Sequence, residues 1–328
     1  MKKKLIFHIG CSAGFYSEYL GLVFAYLYSK LNNIEFSIYS KDANFKYDKG
    51  WSDYFETFTS EAENEQHSIY NRRQKYPKLK AVIKSLVKTI VKNKKAPVWM
   101  YNRYKPKRLI EYIREKKFKK REKFDYYTFD LWDRFQKLNP HKNYSILRNK
   151  LIFNNETYTL KDLLQQTIFE TYVFNAKTRT EMELLRNTLN LTEKYIGMHI
   201  RGGDKYKEEI VFEYREYFEK LKLINHSSIN TIFILTDDYS IIMNIKSEYP
   251  EYTIFSLCEK SENGYHNTQF NTYNPTIKKN QLLKLFTSVD LLIKSELFIG
   301  VYNSNPDVFI DLVRSDNSYF VDMKVLNN

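Results

Sequence analysis

The sequence predicts an α/β protein in two parts, the second a doubly wound parallel sheet. Three observations carry this. Five short apolar runs, YIGMHI (195–200), TIFILT (231–236), YTIFSL (252–257), LFIGVY (297–302) and SYFVDM (318–323), are separated by the helix-like stretches FEYREYFEKLKL, YSIIMNIKSE, NQLLKLFTSVDLLIKS and NPDVFIDLVRS. Strands alternating with helices in this way build a parallel sheet with helices on both faces. The chain opens with a β-loop-α-β pattern of its own, the start of a second α/β layer. Its 328 residues suit two cores rather than one.

In chain order, KKLIFHI (3–9) reads as a buried strand ended by the small residues GCSAG. SEYLGLVFAYLYSKL reads as a well-buried helix with Ser17 as its cap. IEFSIYS (34–40) alternates as a strand, and DANFKYDKGW is turn material. A basic, helical stretch follows at about 77–124. LKDLLQQTIFETYVF and AKTRTEMELLRNTLNL, within 160–190, read as two helices before the alternation begins. The expected division is therefore 1–175 and 176–328, with a basic helical insert at about 72–125 in the first part.

Charge is concentrated in that insert. Residues 72–123 hold 21 Lys and Arg against three Glu, an excess greater than the net +13 of the whole chain. The remainder is acidic, so a partner attracted by positive charge would be met at this one place. Lys80, Lys84, Lys88 and Lys92 share one helical stripe opposite Val82, Ile83, Leu86, Val87, Ile90 and Val91. Such a stripe serves as a solvated face or as a contact with anionic lipid. No nucleic-acid-binding motif accompanies the charge, and no nucleic-acid partner is expected.

Cys11 and Cys258 have neither CxxC nor Cys/His neighbours, so both are expected to be reduced thiols in a reducing compartment. The apolar part of MKKKLIFHIG ends at Ile9, too early for a signal peptide, and no apolar run approaches a membrane span. The expectation is a cytoplasmic protein, peripheral at most to the inner face of a membrane.

In doubly wound sheets ligands sit beyond the carboxyl ends of the strands. Three polar clusters follow strands here: RGGDK (201–205) after the first, TDDYS (236–240) after the second, and VYNSNPD (301–307) after the fourth. Arg201 offers a fork for phosphate oxygens, and the glycines beside it permit close backbone approach. Asn303, Ser304 and Asn305 precede a helix whose N-terminus attracts anions. No GxGxxG follows a strand and no GxxxxGK[ST] occurs, which counts against dinucleotide and P-loop enzymes. His199 and His266 lack metal-ligand spacing, while the Asp237–Asp238 pair leaves a divalent ion open on spacing alone.

These residues resemble a known family. HIRGGDK (199–205) with Glu209 is similar to the HxRRxDK…E motif of the α-1,6-fucosyltransferases, the group of the N-glycan core and rhizobial nodulation enzymes and their bacterial and viral relatives. The similarity continues in order through TDD (236–238), GYHN (264–267) and VYNSN (301–305). In the first half GFYSEY (14–19) looks like the family's Gly-rich loop, and ANFKYDKGWSDYF (43–55) like its GW-containing stretch.

The resemblance implies a GT-B glycosyltransferase, two Rossmann-like domains facing across a cleft. The C-terminal domain would hold GDP-fucose. The N-terminal one would hold the acceptor near Gly14, Phe15 and Trp51. Arg201, His199, Asp204, Tyr217, Asp237, Asp238, His266, Asn267, Asn303, Ser304 and Asn305 would contact the donor. Glu209 would act as base, with Lys205 beside it, and Arg201 would steady the departing diphosphate. Two positions depart from the pattern. Gly202 stands where the family has a second arginine. The family's guanine-reading aspartate falls on Ser288, with Asp290 two residues further on. The resemblance implies inversion, no metal and no other cofactor. The acceptor would be a glycan or lipid-linked intermediate of surface polysaccharide or lipopolysaccharide synthesis.

Overall fold

The computed structural model describes residues 2–10, 13–70, 106–202, 212–224 and 228–323. The expected strands and helices form two parallel sheets. In the first, β1 (Lys4–His8), β2 (Glu35–Tyr39), β3 (Ser60–Glu61) and β4 (Tyr126–Tyr127) lie in the order β3-β2-β1-β4. Helix α1 (Phe15–Leu31) connects β1 to β2, and α2 (His67–Tyr70) and α3 (Pro106–Arg121) come before β4. The second sheet has β7 (Ile196–His199), β8 (Thr231–Leu235), β9 (Thr253–Phe255), β10 (Leu297–Gly300) and β11 (Ser318–Phe320) in the order β11-β10-β7-β8-β9. All pairings in both sheets are parallel. The basic stripe Lys80–Lys92 and Cys11 lie outside the described residues.

Between the sheets come α4 (Trp132–Phe135) and a hairpin of β5 (Lys150–Phe153) and β6 (Glu156–Thr159), followed by α5 (Leu160–Thr171) and α6 (Ala176–Asn187). The hairpin turns on Asn154 and Asn155, both at positive φ (51° and 66°), as a tight two-residue turn requires. The second sheet is flanked by α7 (Tyr214–Ile224), α8 (Tyr239–Glu248), the short α9 (Asn267–Thr272), α10 (Pro275–Lys294) and α11 (Asn305–Val313). Among the described residues no helix is long and apolar enough to cross a membrane.

Helix α1 starts earlier than the sequence suggests. Its N-cap is Gly14, without a side-chain cap, and Ser17 lies inside the first turn with its amide bonded to Gly14 O at 3.0 Å. Twelve of its 17 residues are buried, so it is not a helix with one wet face. It packs against α5 and α11 as well as its own sheet. One hydrophobic cluster therefore runs from the first half into the second. Aromatic rings make the seam: Phe15 meets Phe286 at 4.8 Å between ring centres, and Tyr16 meets Phe309 at 4.9 Å. The hydroxyls find partners too, Tyr16 with Tyr172 (2.7 Å) and Tyr19 with Thr171 (2.8 Å). Burying rings of this size contributes about 1.5–3 kcal/mol each.

Phe15 and Trp51 belong to this packing and not to an acceptor surface. Trp51 is 1% exposed and its Nε1–H donates to Glu56 O at 3.0 Å. The GW stretch is a structural turn: the buried Asp53 carboxylate accepts the amides of Tyr47, Asp48, Lys49 and Gly50 at 2.9–3.1 Å. Gly14 is exposed, with open space beside it.

Candidate functional site

The order of the second sheet locates a crevice. From β7 the chain moves to β8 and β9 on one side, then returns to place β10 and β11 on the other. The connections diverge at the carboxyl ends of β7 and β10, and such a switch point leaves an opening for a ligand. His199, the last residue of β7, with Arg201 and Gly202 form one lip. The turn after β10, carrying Tyr302, Asn303 and Ser304, forms the other.

Three carboxylates brace the loops there. Asp237, just beyond β8, accepts the amide of Gly202 (2.7 Å) on Oδ1 and that of Tyr265 (2.8 Å) on Oδ2, and its own carbonyl accepts the Gly264 amide (2.7 Å). Asp322, after β11, accepts the amides of Tyr302 (2.8 Å) and Asn303 (3.1 Å). Asp307, in the first turn of α11, accepts from His199 Nδ1 on one oxygen and from Val301 N–H (2.8 Å) on the other. Each pins a loop that would otherwise wander, which is how a site is made ready before its ligand arrives.

Ser304 is the N-cap of α11, fully buried, and its Oγ has no hydrogen-bond partner among the described residues. A buried hydroxyl without a partner costs about 1–3 kcal/mol, so at the mouth of a crevice it reads as a group awaiting one. Arg201 is half-buried at the opposite lip. Among the described residues no three His, Cys, Asp or Glu side chains gather as a metal site would need. Among the described residues Cys258 is a free thiol, its pKa pushed upward first by burial.

The structure brings His199, Arg201, Asp237, Asn303, Ser304 and Asn305 to this one edge of the sheet. His266 comes with them, half-buried, beside the Tyr265 amide that Asp237 holds. Asp238 acts as the N-cap of α8, accepting from the Ser240 amide at 2.9 Å. Asp204, Lys205 and Glu209 lie outside the described residues, as does the side chain of Asn267. Asp307 and Asp322 escape a sequence reading, since NPD looks like ordinary helix-start chemistry and the Asp of SYFVDM like the end of a strand.

Three expected donor contacts sit elsewhere. Tyr217 is 2% exposed in the core behind the site, and its hydroxyl is pushed well up by burial, then by the charges of Asp307 and Asp322. Ser288 is buried within α10. Asp290 belongs to the opposite edge: α10 runs back toward the amino ends of the strands, and there Asp290 binds Lys294 (2.7 Å) and Arg186 (3.6 Å). Gly202 is tightly enclosed. A Cβ at that position would lie 3.1 Å from Asp238 Cβ and 3.3 Å from Asp237 Oδ1, so a second arginine would disturb the brace.

Comparison with known proteins agrees with this fold. A family model described as alpha-(1,6)-fucosyltransferase N- and catalytic domains matches residues 163–291, the span that includes β7, Arg201 and Asp237. The structure of NodZ alpha-1,6-fucosyltransferase soaked with GDP-fucose aligns with TM-score 0.51 at 11% identity, covering 96% of this chain and 93% of that one. NodZ from Bradyrhizobium aligns at 0.51 and 10%, covering 96% and 94%. POFUT1 in complex with GDP-fucose aligns at 0.50 and 9%, covering 98% of each chain. No curated protein matches the chain in sequence. The likeness to these structures gives the chain a GT-B fold. Within residues 163–291 the chain is similar to the alpha-(1,6)-fucosyltransferases.

Proposed function

We propose that this enzyme moves fucose from GDP-fucose to a glycan hydroxyl, with inversion at the anomeric carbon. The observation that carries the reading is the crevice between β7 and β10, with Arg201 at one lip and the orphaned Ser304 hydroxyl at the N-terminus of α11 on the other. A pyrophosphate suits both lips: its oxygens take hydrogen bonds from a guanidinium, a hydroxyl and helix-start amides. The named relatives bear on the donor, since NodZ and POFUT1 have been crystallised with GDP-fucose.

In the reaction the acceptor oxygen attacks the anomeric carbon as its proton passes to a base, and the bond from that carbon to the β-phosphate oxygen breaks. GDP leaves with the electron pair. Arg201 and Ser304 would stabilise the charge it gains. The sequence motif assigns the base to Glu209, with Lys205 beside it. The acceptor we favour is a glycan or lipid-linked intermediate of surface polysaccharide or lipopolysaccharide synthesis, met at the cytoplasmic face of a membrane through the Lys80–Lys92 stripe. No metal takes part in this proposal.

A GDP-release assay with GDP-fucose and a panel of glycan acceptors tests it. Acceptor-dependent release that Glu209→Gln abolishes supports the reading, and no release with any acceptor counts against it. The enclosed Gly202 and buried Ser288 favour one second reading, the same transfer from another nucleotide sugar. Calorimetric titration with GDP, UDP and ADP separates the two: tighter binding of UDP or ADP than of GDP selects the alternative donor.

A further inference from the structure

We propose that Asp307 is a positioning residue for the nucleotide site. It fixes the His199 ring so that Nε2, and not Nδ1, meets the ligand. The inference rests on the nucleotide reading above and extends it to a residue that the family motif does not include.

His199 is 7% exposed and Asp307 is completely buried, and the carboxylate takes the ring through Nδ1. An ionised carboxylate can only accept, so Nδ1 carries the hydrogen and Nε2 is the nitrogen left for a ligand. The carboxylate cannot turn away from this task. Its second oxygen holds the Val301 amide at 2.8 Å, and Gly300 leaves it no slack, since a Cβ there would lie 2.7 Å from Asp307 Oδ2. One buried group thus couples the end of β7 to the end of β10, the two strands that open the crevice. Its place in the first turn of α11 favours negative charge.

The competing explanation is a tie that only stabilises the fold, and two substitutions separate the cases. In His199→Asn the side-chain amide can stand where ring Nδ1 stood, keeping a donor for Asp307 while deleting Nε2. In Asp307→Asn the ring keeps Nε2 but loses the fixed acceptor. Calorimetric titration of the whole chain with GDP should show each variant weakened about tenfold, the size of one lost hydrogen bond in a charged setting. The double variant should be no weaker than either single one, because both remove the same contact. Ring ¹⁵N spectra should show His199 protonated at Nδ1 in the wild type and mixed between nitrogens in Asp307→Asn.

Three results overturn the inference alone: wild-type affinity in Asp307→Asn or His199→Asn, losses that add in the double variant, or a wild-type ring protonated only at Nε2. If Asp307→Asn does not fold, the His199→Asn titration and the wild-type spectrum decide. If the wild type binds none of GDP, UDP and ADP, the nucleotide reading itself falls and takes this inference with it.

Discussion

The amide of Gly202 donates to Asp237 Oδ1 at 2.7 Å, and that bond joins the loop after β7 to the loop after β8. Arg201 precedes the donor residue, so the guanidinium hangs from a braced backbone. Asp237→Ala should release both Gly202 and the Tyr265 amide at a cost of about 1–3 kcal/mol in stability. GDP affinity should fall at least several-fold, although the carboxylate has both oxygens committed to backbone amides. A variant with wild-type affinity, measured by calorimetry below its melting temperature, would show that the brace is not needed for binding.

Arg314 does comparable work at the carboxyl end of α10. Its guanidinium donates to the carbonyls of Leu292 (3.1 Å), Ile293 (2.8 Å) and Ser295 (2.8 Å), satisfying acceptors that a helix end leaves bare. Burial pulls its affinity for the proton downward, the sign of a charge held in a place poor in water. Arg314→Ala should cost about 3–5 kcal/mol by urea titration, because it orphans several carbonyls at once. Nucleotide affinity should hold at low temperature, since the residue lies at the amino edge of the sheet. A loss under 1 kcal/mol would contradict this account.

The strands and long helices of the second half were legible because apolar runs and turns mark them locally. The hairpin at 150–159 is marked more weakly, by an Asn-Asn turn with the apolar residues on one side and the polar ETYT on the other. The misplaced residues share one cause. Counting along α10 cannot say which end of it lies at the ligand edge, so the resemblance set Ser288 and Asp290 at the guanine-reading position. Phe15 and Trp51 sit in a motif whose fold role, a packed seam and a turn around Asp53, is set by tertiary contacts. Asp307 acquires its partner only when β10 lies beside β7.

Acid should weaken the first half. His67 is buried against Tyr127, whose hydroxyl lies 2.7 Å from Nδ1, and its proton affinity is pushed down to about 4. Burial is the main cause, with nearby His8 adding to it and Glu122 opposing. His8, bonded through Nε2 to Asp42 at 2.8 Å, is lowered too, again by burial before the opposing effect of Asp42. The unfolded chain takes up protons as pH drops below about 6.5 and the folded chain resists. The stability tied to these groups is therefore complete above pH 6.5 and lost as pH falls toward 4, on the order of 3 kcal/mol for His67. Urea titrations at pH 7, 6, 5 and 4 should show a shallower decline in His67→Gln than in the wild type. Equal slopes would remove His67 from the explanation.

The shared aromatic seam makes a claim about cooperativity. Phe286, on α10 of the second half, packs on Phe15, Tyr54 and Phe55 of the first at ring distances of 4.8–5.6 Å and is fully buried. Independent domains would melt separately, whereas a continuous core couples them. The wild type should therefore unfold in one calorimetric transition. Phe286→Ala should cost about 3–5 kcal/mol through lost burial and the cavity left behind. The variant should also split the transition, because the cavity lies at the joint and not within either sheet's own core. Phe218→Ala, in the separate cluster behind the second sheet, is the control, expected to lower the melting temperature without separating the halves. Two transitions in the wild type, or one in both variants, would show that the seam does not set how the halves unfold.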